Sequence, residues 1–180
     1  MSFKLTALAF LIAGSIIPAL GATATGQPFS PQVSTTQYGD WVLRCMPQQA
    51  AALPCDIVQS LAQKDSKAQV LTISMAYSAK DNRHAIEIGV PLGIDLRRGV
   101  DISVGSVTAR HVHPTRCEIN GCIIDALIAD DMLEALAKND KGRVIVSADG
   151  KKDLAIEFSL KGYNDAEAAL RHEAEARKAQ

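Results

Sequence analysis

Residues 38–61 constrain the fold more than any other part of the chain. Trp41, Leu43 and Cys45 lie on one side of a period-two pattern, and Cys55 opens a second alternating run after a short polar loop. Two such runs predict an antiparallel hairpin. In that hairpin the two cysteines flank the loop and can reach the Cα separation of roughly 4–7 Å that a disulfide needs. The alternative is two free, buried thiols. The cellular compartment of the protein decides between the disulfide and the thiols, because disulfides persist in oxidising compartments.

The N-terminus predicts export. Lys4 precedes an apolar run over residues 5–20, and a small-residue pattern follows that ends at Ala24. This order is typical of a secretory signal peptide, and the run is shorter than the roughly 20 residues of a spanning helix. Residues 1–24 are therefore predicted to be a signal peptide, with cleavage after Gly21 as the alternative. We expect a mature chain without a transmembrane segment, located in the periplasm or secreted.

The cysteine count then predicts two disulfides. Four cysteines in an exported chain permit three pairings. We favour nearest-neighbour pairing, Cys45 with Cys55 and Cys117 with Cys122, because each pair brackets a turn. The second pair lacks the Cys-x-x-Cys spacing of redox motifs, so a structural bridge is preferred to a redox-active one.

Alternating runs recur along the chain and predict the fold class. About nine short strands are separated by turns too short for crossover helices. A short helix is predicted to be capped by Asp130 or Asp131. The pattern predicts an all-β, antiparallel β-sandwich of Ig-like architecture, with a partly open barrel as the alternative. The predicted organisation is a flexible leader at 25–37, the β-sandwich domain at 38–163 and a C-terminal helical tail at 164–180, in which Leu170 is the only large apolar residue.

Several motifs in fixed order resemble the invasion-associated locus B family of bacterial exported proteins. They are Trp41-x-x-x-Cys45 with the following Cys55, Gly89-Val90-Pro91-Leu92-Gly93, Gly99-Val-Asp-Ile, Cys117-x-x-x-Gly121-Cys122 and Leu160-Lys-Gly162-Tyr163. The resemblance covers residues 38–170. It implies a secreted or periplasmic β-sandwich domain whose family is named for a role in the invasion of host cells. It implies no reaction and no catalytic residue.

Two histidines form the first candidate site. His111 and His113 are two residues apart in a predicted strand, so they lie on one face with a spacing that can hold Zn or Cu if a third ligand approaches. Polar surface at a strand end is the competing interpretation. The candidates for the third ligand are His84, Met75, Asp101 and Glu118.

A basic turn forms the second candidate site. Arg97 and Arg98 could meet an anionic surface, although a solvated loop is the simpler interpretation. Acidic and basic residues are interspersed at a formal net charge of −1, and no basic stripe predicts a nucleic-acid partner.

No catalytic motif is visible in the chain, which has no Gly-x-Ser-x-Gly nucleophile elbow. We therefore expect a binding protein of the cell envelope, with an unidentified protein or envelope partner, no cofactor and no catalytic activity. Host-cell contact is the role that the family resemblance suggests. A periplasmic metal-binding protein or hydrolase that uses His111 and His113 is the alternative.

Overall fold

The computed structural model describes residues 33–47, 53–147 and 153–178. The predicted signal peptide and residues 25–32 of the leader lie outside these ranges. The described elements, in chain order, are β1 (Ser34–Tyr38), β2 (Trp41–Cys45), β3 (Cys55–Ala62), β4 (Gln69–Ser78), β5 (Arg83–Val90), β6 (Val100–Val104), β7 (Val107–Val112), β8 (Arg116–Glu118), β9 (Gly121–Leu127), α1 (Asp130–Lys138), β10 (Lys141–Ser147), β11 (Asp153–Ser159) and α2 (Tyr163–Lys178).

The strands form two antiparallel sheets. The larger has the order β1-β2-β3-β4-β5-β9-β8, and the smaller has the order β11-β10-β6-β7. This arrangement confirms the antiparallel β-sandwich. It does not confirm the Ig-like architecture, because β1 to β5 follow one another within a single sheet, whereas successive strands of an immunoglobulin sandwich pass between sheets.

Two described strands were missed by the sequence pattern. The predicted leader ends at residue 37, but Ser34–Tyr38 pairs with β2 along its whole length. Its side chains are mostly polar and exposed, so no period-two apolar signal marks it. The other missed strand, β8, is only three residues long and fully exposed. Both lie at the edges of the larger sheet, where one neighbour supplies the hydrogen bonds and no buried face is needed.

Inward-facing residues of both sheets fill one core. Leu71, Ile73 and Met75 alternate along β4 and are buried, and Val144 and Val146 of the smaller sheet belong to the same apolar cluster. The alternation that predicts these strands is therefore also the alternation that fills the sandwich, because successive side chains of a strand point to opposite faces.

Two polar side chains join the sheets through Ser159. The Trp41 Nε1 donates to the Ser159 carbonyl at 3.0 Å. The buried Gln59 amide donates Nε2 to the same carbonyl at 3.0 Å, and its Oε1 accepts from the Ser159 N–H at 2.9 Å. Gln59 thus gives the backbone N–H and C=O of Ser159, at the edge of β11, the hydrogen bonds that a neighbouring strand would give. These bonds offset the cost of burying the Gln59 amide.

The N-cap of the short helix α1 lies one residue before the first of the two predicted caps. Its N-cap is Ala129, which makes no side-chain capping bond, so the prediction of Asp130 or Asp131 as cap is wrong. Both aspartates instead lie in the first turn, where their charge interacts favourably with the positive end of the helix dipole. Leu136 anchors the helix in the core.

The C-terminal helix is part of the fold rather than a tail. Tyr163, Ala166 and Leu170 are buried, and the Tyr163 ring meets the Trp41 ring edge to face at a centroid distance of 5.5 Å. The sequence expectation of a weakly anchored helix overlooked that small alanines let a helix approach a sheet closely, so one leucine and one tyrosine suffice to bury its inner face.

Two glycines fix the point at which α2 begins. A Cβ on Gly162 would lie 2.2 Å from the Tyr38 carbonyl oxygen, and one on Gly39 would lie 2.5 Å from the Lys161 carbonyl oxygen. Both glycines have positive φ, at 84° and 56°. Because only glycine fits such a backbone approach in this conformation, these positions join the β1–β2 turn to the start of the helix.

Candidate interaction surface

The structure brings the two predicted candidate sites together. His111 Nδ1 lies 3.0 Å from the Arg98 carbonyl oxygen, and His113 Nδ1 lies 3.1 Å from the Leu96 carbonyl oxygen. A carbonyl only accepts, so both ring nitrogens are donors. The histidines at the end of β7 therefore hold the loop of residues 91–99, and the basic turn belongs to the same surface.

A β-bulge positions the histidines. Ile102 pairs with Ala109 and Val100 pairs with Val112, so the register between β6 and β7 shifts by one residue at His111. His111 has a φ of 53°, the left-handed conformation that glycine usually supplies in the G1 class of bulge. Val112 packs against the core, so the residues on either side of it point outwards.

Hydrogen bonds and an ion pair anchor the loop to the smaller sheet. The Asp95 N–H donates to the Ser147 carbonyl at 2.7 Å, and Arg98 Nη2 donates to Asp153 Oδ2 at 2.6 Å. The hydrogen bond from Ser147 Oγ, followed by the charge of Arg98, holds the pKa of Asp153 below its usual range. The loop is therefore fixed at the ends of β10 and β11.

The anchored loop leaves several side chains exposed. Leu92 and Leu96 are 54% and 50% exposed. The Arg97 side chain is 91% exposed, and its Nε lies 3.8 Å from Asp95. We call this region the loop surface, and it comprises Leu92, Leu96, Arg97, Arg98, His111 and His113.

The predicted third ligands do not join the two histidines. In the part of the chain that the structure describes, the only group of three or more His, Cys, Asp or Glu ligand atoms within 4.8 Å of one another is Cys45, Cys55 and Glu173, and its sulfurs form a disulfide. Of the four candidates, Met75 is buried in the core, His84 bonds to Glu167, Asp101 accepts from the His111 N–H, and Glu118 pairs with Arg116.

Sequence reasoning missed a polar cluster beneath α2. His84 is 2% exposed, and its Nε2 donates to Glu167 Oε1 at 2.9 Å. Glu167 also accepts from Arg171, whose guanidinium lies 4.5 Å from the centre of the Tyr77 ring. The i,i+4 spacing of Glu167 and Arg171 is visible in the sequence, but the partner histidine lies 83 positions away. No local signal could have found it.

The chemistry of this cluster favours a structural role. The hydrogen bond from His84, with smaller contributions from Arg171, lowers the pKa of Glu167 despite its partial burial. Glu167 therefore stays ionised and holds two donors, one from the sheet and one from its own helix. A cavity of about 240 Å³ lies beside the cluster. A catalytic base must be accessible to substrate, but the His84 ring is buried and hydrogen-bonded to Glu167.

An apolar groove opens on the other side of β7. Its volume is about 320 Å³, and it is lined by Ile102, Val107 and Ala109 from the smaller sheet and by Leu127 and Met132 from β9 and α1. Leu127 is 54% exposed at this groove. Two candidate contact surfaces therefore lie near β7: the loop surface and this apolar groove.

Comparison with known proteins identifies the family. Residues 41–171 match the family model described as "Invasion associated locus B (IalB) protein", which is well over half of the chain. The chain belongs to the IalB family. The match extends into α2, in agreement with the packing of that helix in the core.

A solved structure has the same fold. The crystal structure of invasion associated protein b from Bartonella henselae aligns with a TM-score of 0.69 and 21% sequence identity, over 79% of this chain and 99% of that chain.

The search of curated proteins gave no match. Both described helices are too short or too polar to cross a membrane. The two bridges have the predicted pairing.

Proposed function

We propose that this IalB family member is an exported interaction protein of the bacterial cell envelope, that it acts without catalysis, and that the loop surface contacts a protein partner. The observation that carries the proposal is the exposure of Leu92, Leu96 and Arg97 on a loop anchored to the smaller sheet. Arginine is enriched at interface hot spots, the exposed leucines offer apolar area that a partner can bury, and a preorganised loop loses little conformational entropy on binding. The predicted signal peptide and the two disulfides support export.

A role in contact with host cells is part of this proposal. It is supported by the name of the family and by the name of the Bartonella henselae protein with the same fold. Host contact requires a surface that remains available outside the cell. The loop surface meets that requirement because its exposed side chains are not needed for the core.

The test compares variants that change the loop surface with variants elsewhere. Leu92→Ser and Arg97→Glu should each weaken binding of the purified protein to envelope fractions or to host-cell surfaces by roughly 30-fold if they are hot spots, equivalent to about 2 kcal/mol. Arg98 is a poorer choice because its ion pair with Asp153 anchors the loop. Thermal melts should change little, since surface substitutions usually shift stability by about 0.5 kcal/mol or less.

Matched controls locate the contact. Leu53→Ser removes an exposed leucine and Arg83→Glu reverses an exposed charge, and both positions lie outside the loop surface. Both variants should bind as the wild type does. Leu127→Ser changes the apolar groove instead. If this variant loses binding while the loop variants keep it, the groove is the contact surface. Equal binding by all variants would remove both surfaces from the proposal.

A further inference from the structure

The hydrogen bonds of His111 and His113 fix the tautomer of both imidazoles. Each ring donates Nδ1–H to a backbone carbonyl, from Arg98 and Leu96 respectively. In a neutral imidazole with a protonated Nδ1, the lone pair resides on Nε2. Both residues are exposed, so the two Nε2 atoms can accept a ligand from solvent.

The same loop holds both rings. The histidines flank Val112, which packs against the core, and the carbonyls that hold them are also two residues apart, in one anchored loop. Metal-ligating histidines almost always donate their second ring nitrogen to a carbonyl or carboxylate, which orients the ring and raises its basicity. Both imidazoles have this outer-shell contact before any metal binds.

The backbone at His111 adds an independent observation. A φ of 53° is uncommon for a residue other than glycine, and such conformations concentrate at functional sites. The Asp101 carboxylate accepts the His111 N–H at 2.8 Å and holds the bulge in place. Its other carboxylate oxygen lies 3.7 Å from Arg110 Nη1, so its negative charge offsets that arginine, which would otherwise repel a cation.

We propose that His111 and His113 bind a divalent transition-metal ion through their Nε2 atoms. Among the described residues no third histidine, cysteine or carboxylate completes the site, so water would fill the remaining positions. Selectivity should then follow the intrinsic order of divalent ions, with Cu²⁺ bound most tightly and Ni²⁺ and Zn²⁺ less so. This site goes beyond the proposed function and does not depend on it.

A merely structural role for the histidines makes a different prediction. If they only tether the loop, their Nε2 atoms are dispensable and their Nδ1–H donors are not. Asparagine separates the two roles, because its side-chain N–H₂ can reach the same carbonyl while it has no imidazole lone pair. Asparagine also tolerates the left-handed conformation that position 111 requires.

The experiment titrates untagged protein with Cu²⁺ by calorimetry and records the electron paramagnetic resonance spectrum of the complex. We expect one ion per chain with nitrogen hyperfine structure from two imidazoles, and weaker binding at acidic pH because the ligands must be unprotonated. Loss of an outer-shell partner alone costs about 10- to 100-fold in affinity, and His111→Asn or His113→Asn removes a ligand itself, so each should weaken binding at least tenfold. The double variant should keep the wild-type melting temperature.

His172→Asn is the matched control, since it removes an exposed imidazole from α2 and should leave Cu²⁺ affinity unchanged. The proposal is overturned if the double asparagine variant binds Cu²⁺ as the wild type does, or if the wild type binds no ion at millimolar concentration. Because the probe is the metal alone, either result leaves the proposed partner contact to be tested separately.

Discussion

The two disulfides join the same kind of residue pair in different environments. Cys45 faces Cys55 across β2 and β3, and Cys117 faces Cys122 across β8 and β9. The first bridge is buried, and the carboxylate of Glu173 in α2 lies within 4.8 Å of both sulfurs. In the second bridge Cys122 is buried in the core, but Cys117 is exposed at the edge of the larger sheet.

Loop closure alone hardly distinguishes the two bridges. Their sequence separations are 10 and 5, for which the chain-entropy model gives contributions of about 2.7 and about 2.1 kcal/mol. The difference of about 0.6 kcal/mol is smaller than the free energy gained by burying one apolar side chain. Packing beneath α2, rather than the length of the closed loop, therefore makes the first bridge the more important one.

The largest effect should come from removing the buried bridge. Cys45→Ala with Cys55→Ala should lower the free energy of unfolding by about 4 kcal/mol, because lost apolar burial adds to lost loop closure. Chemical denaturation measures the change. A loss no greater than that of the exposed bridge would contradict the comparison.

The next effect concerns the helix beside the buried bridge. Leu170→Ala removes a fully buried side chain of α2 and should destabilise the protein by about 3 kcal/mol. It should also accelerate reduction of Cys45–Cys55 by a thiol while leaving Cys117–Cys122 unaffected. Alkylation and mass spectrometry of partly reduced protein follow the two bridges separately. If both bridges respond alike, α2 does not protect the first one.

Removal of the exposed bridge should have a smaller effect. Cys117→Ala with Cys122→Ala should cost about 2–3 kcal/mol, because only Cys122 of this pair adds lost burial to lost loop closure. In the wild type, this bridge should be reduced first because Cys117 is accessible to a thiol reagent. The order of reduction can be read from the same alkylation experiment, and the reverse order would show that exposure does not control it.

The smallest effect depends on pH. The pKa of Glu167 is lower in the folded protein than its ordinary value of 4.5, so its ionised form stabilises the fold above that pH, and this contribution is lost as the pH falls further. Glu167→Gln should destabilise by about 1–2 kcal/mol at pH 7. The gap between variant and wild type should narrow on acidification below pH 4.5. A gap that is constant with pH would show that the charge of Glu167 contributes nothing.

Individual residues show how far sequence reasoning reached. The alternation of Trp41, Leu43 and Cys45 predicted a strand and the face that it buries, and the turns between paired cysteines predicted both bridges. The same reasoning missed β1, whose exposed polar residues have no apolar periodicity. It also judged α2 from its single large apolar residue, Leu170, and overlooked the close approach that Ala166 allows.

Local patterns in the sequence predict most of the strands, the cysteine pairs and the family, because period-two alternation, turn chemistry and short motifs are local properties of the chain. Tertiary packing places α2 beside one bridge and leaves Cys117 of the other exposed. It also decided that His84 meets Glu167 and that His111 and His113 hold the loop that contains Arg97. These contacts join positions distant in sequence, and they depend on how two sheets and a helix pack around one core, which no local pattern records.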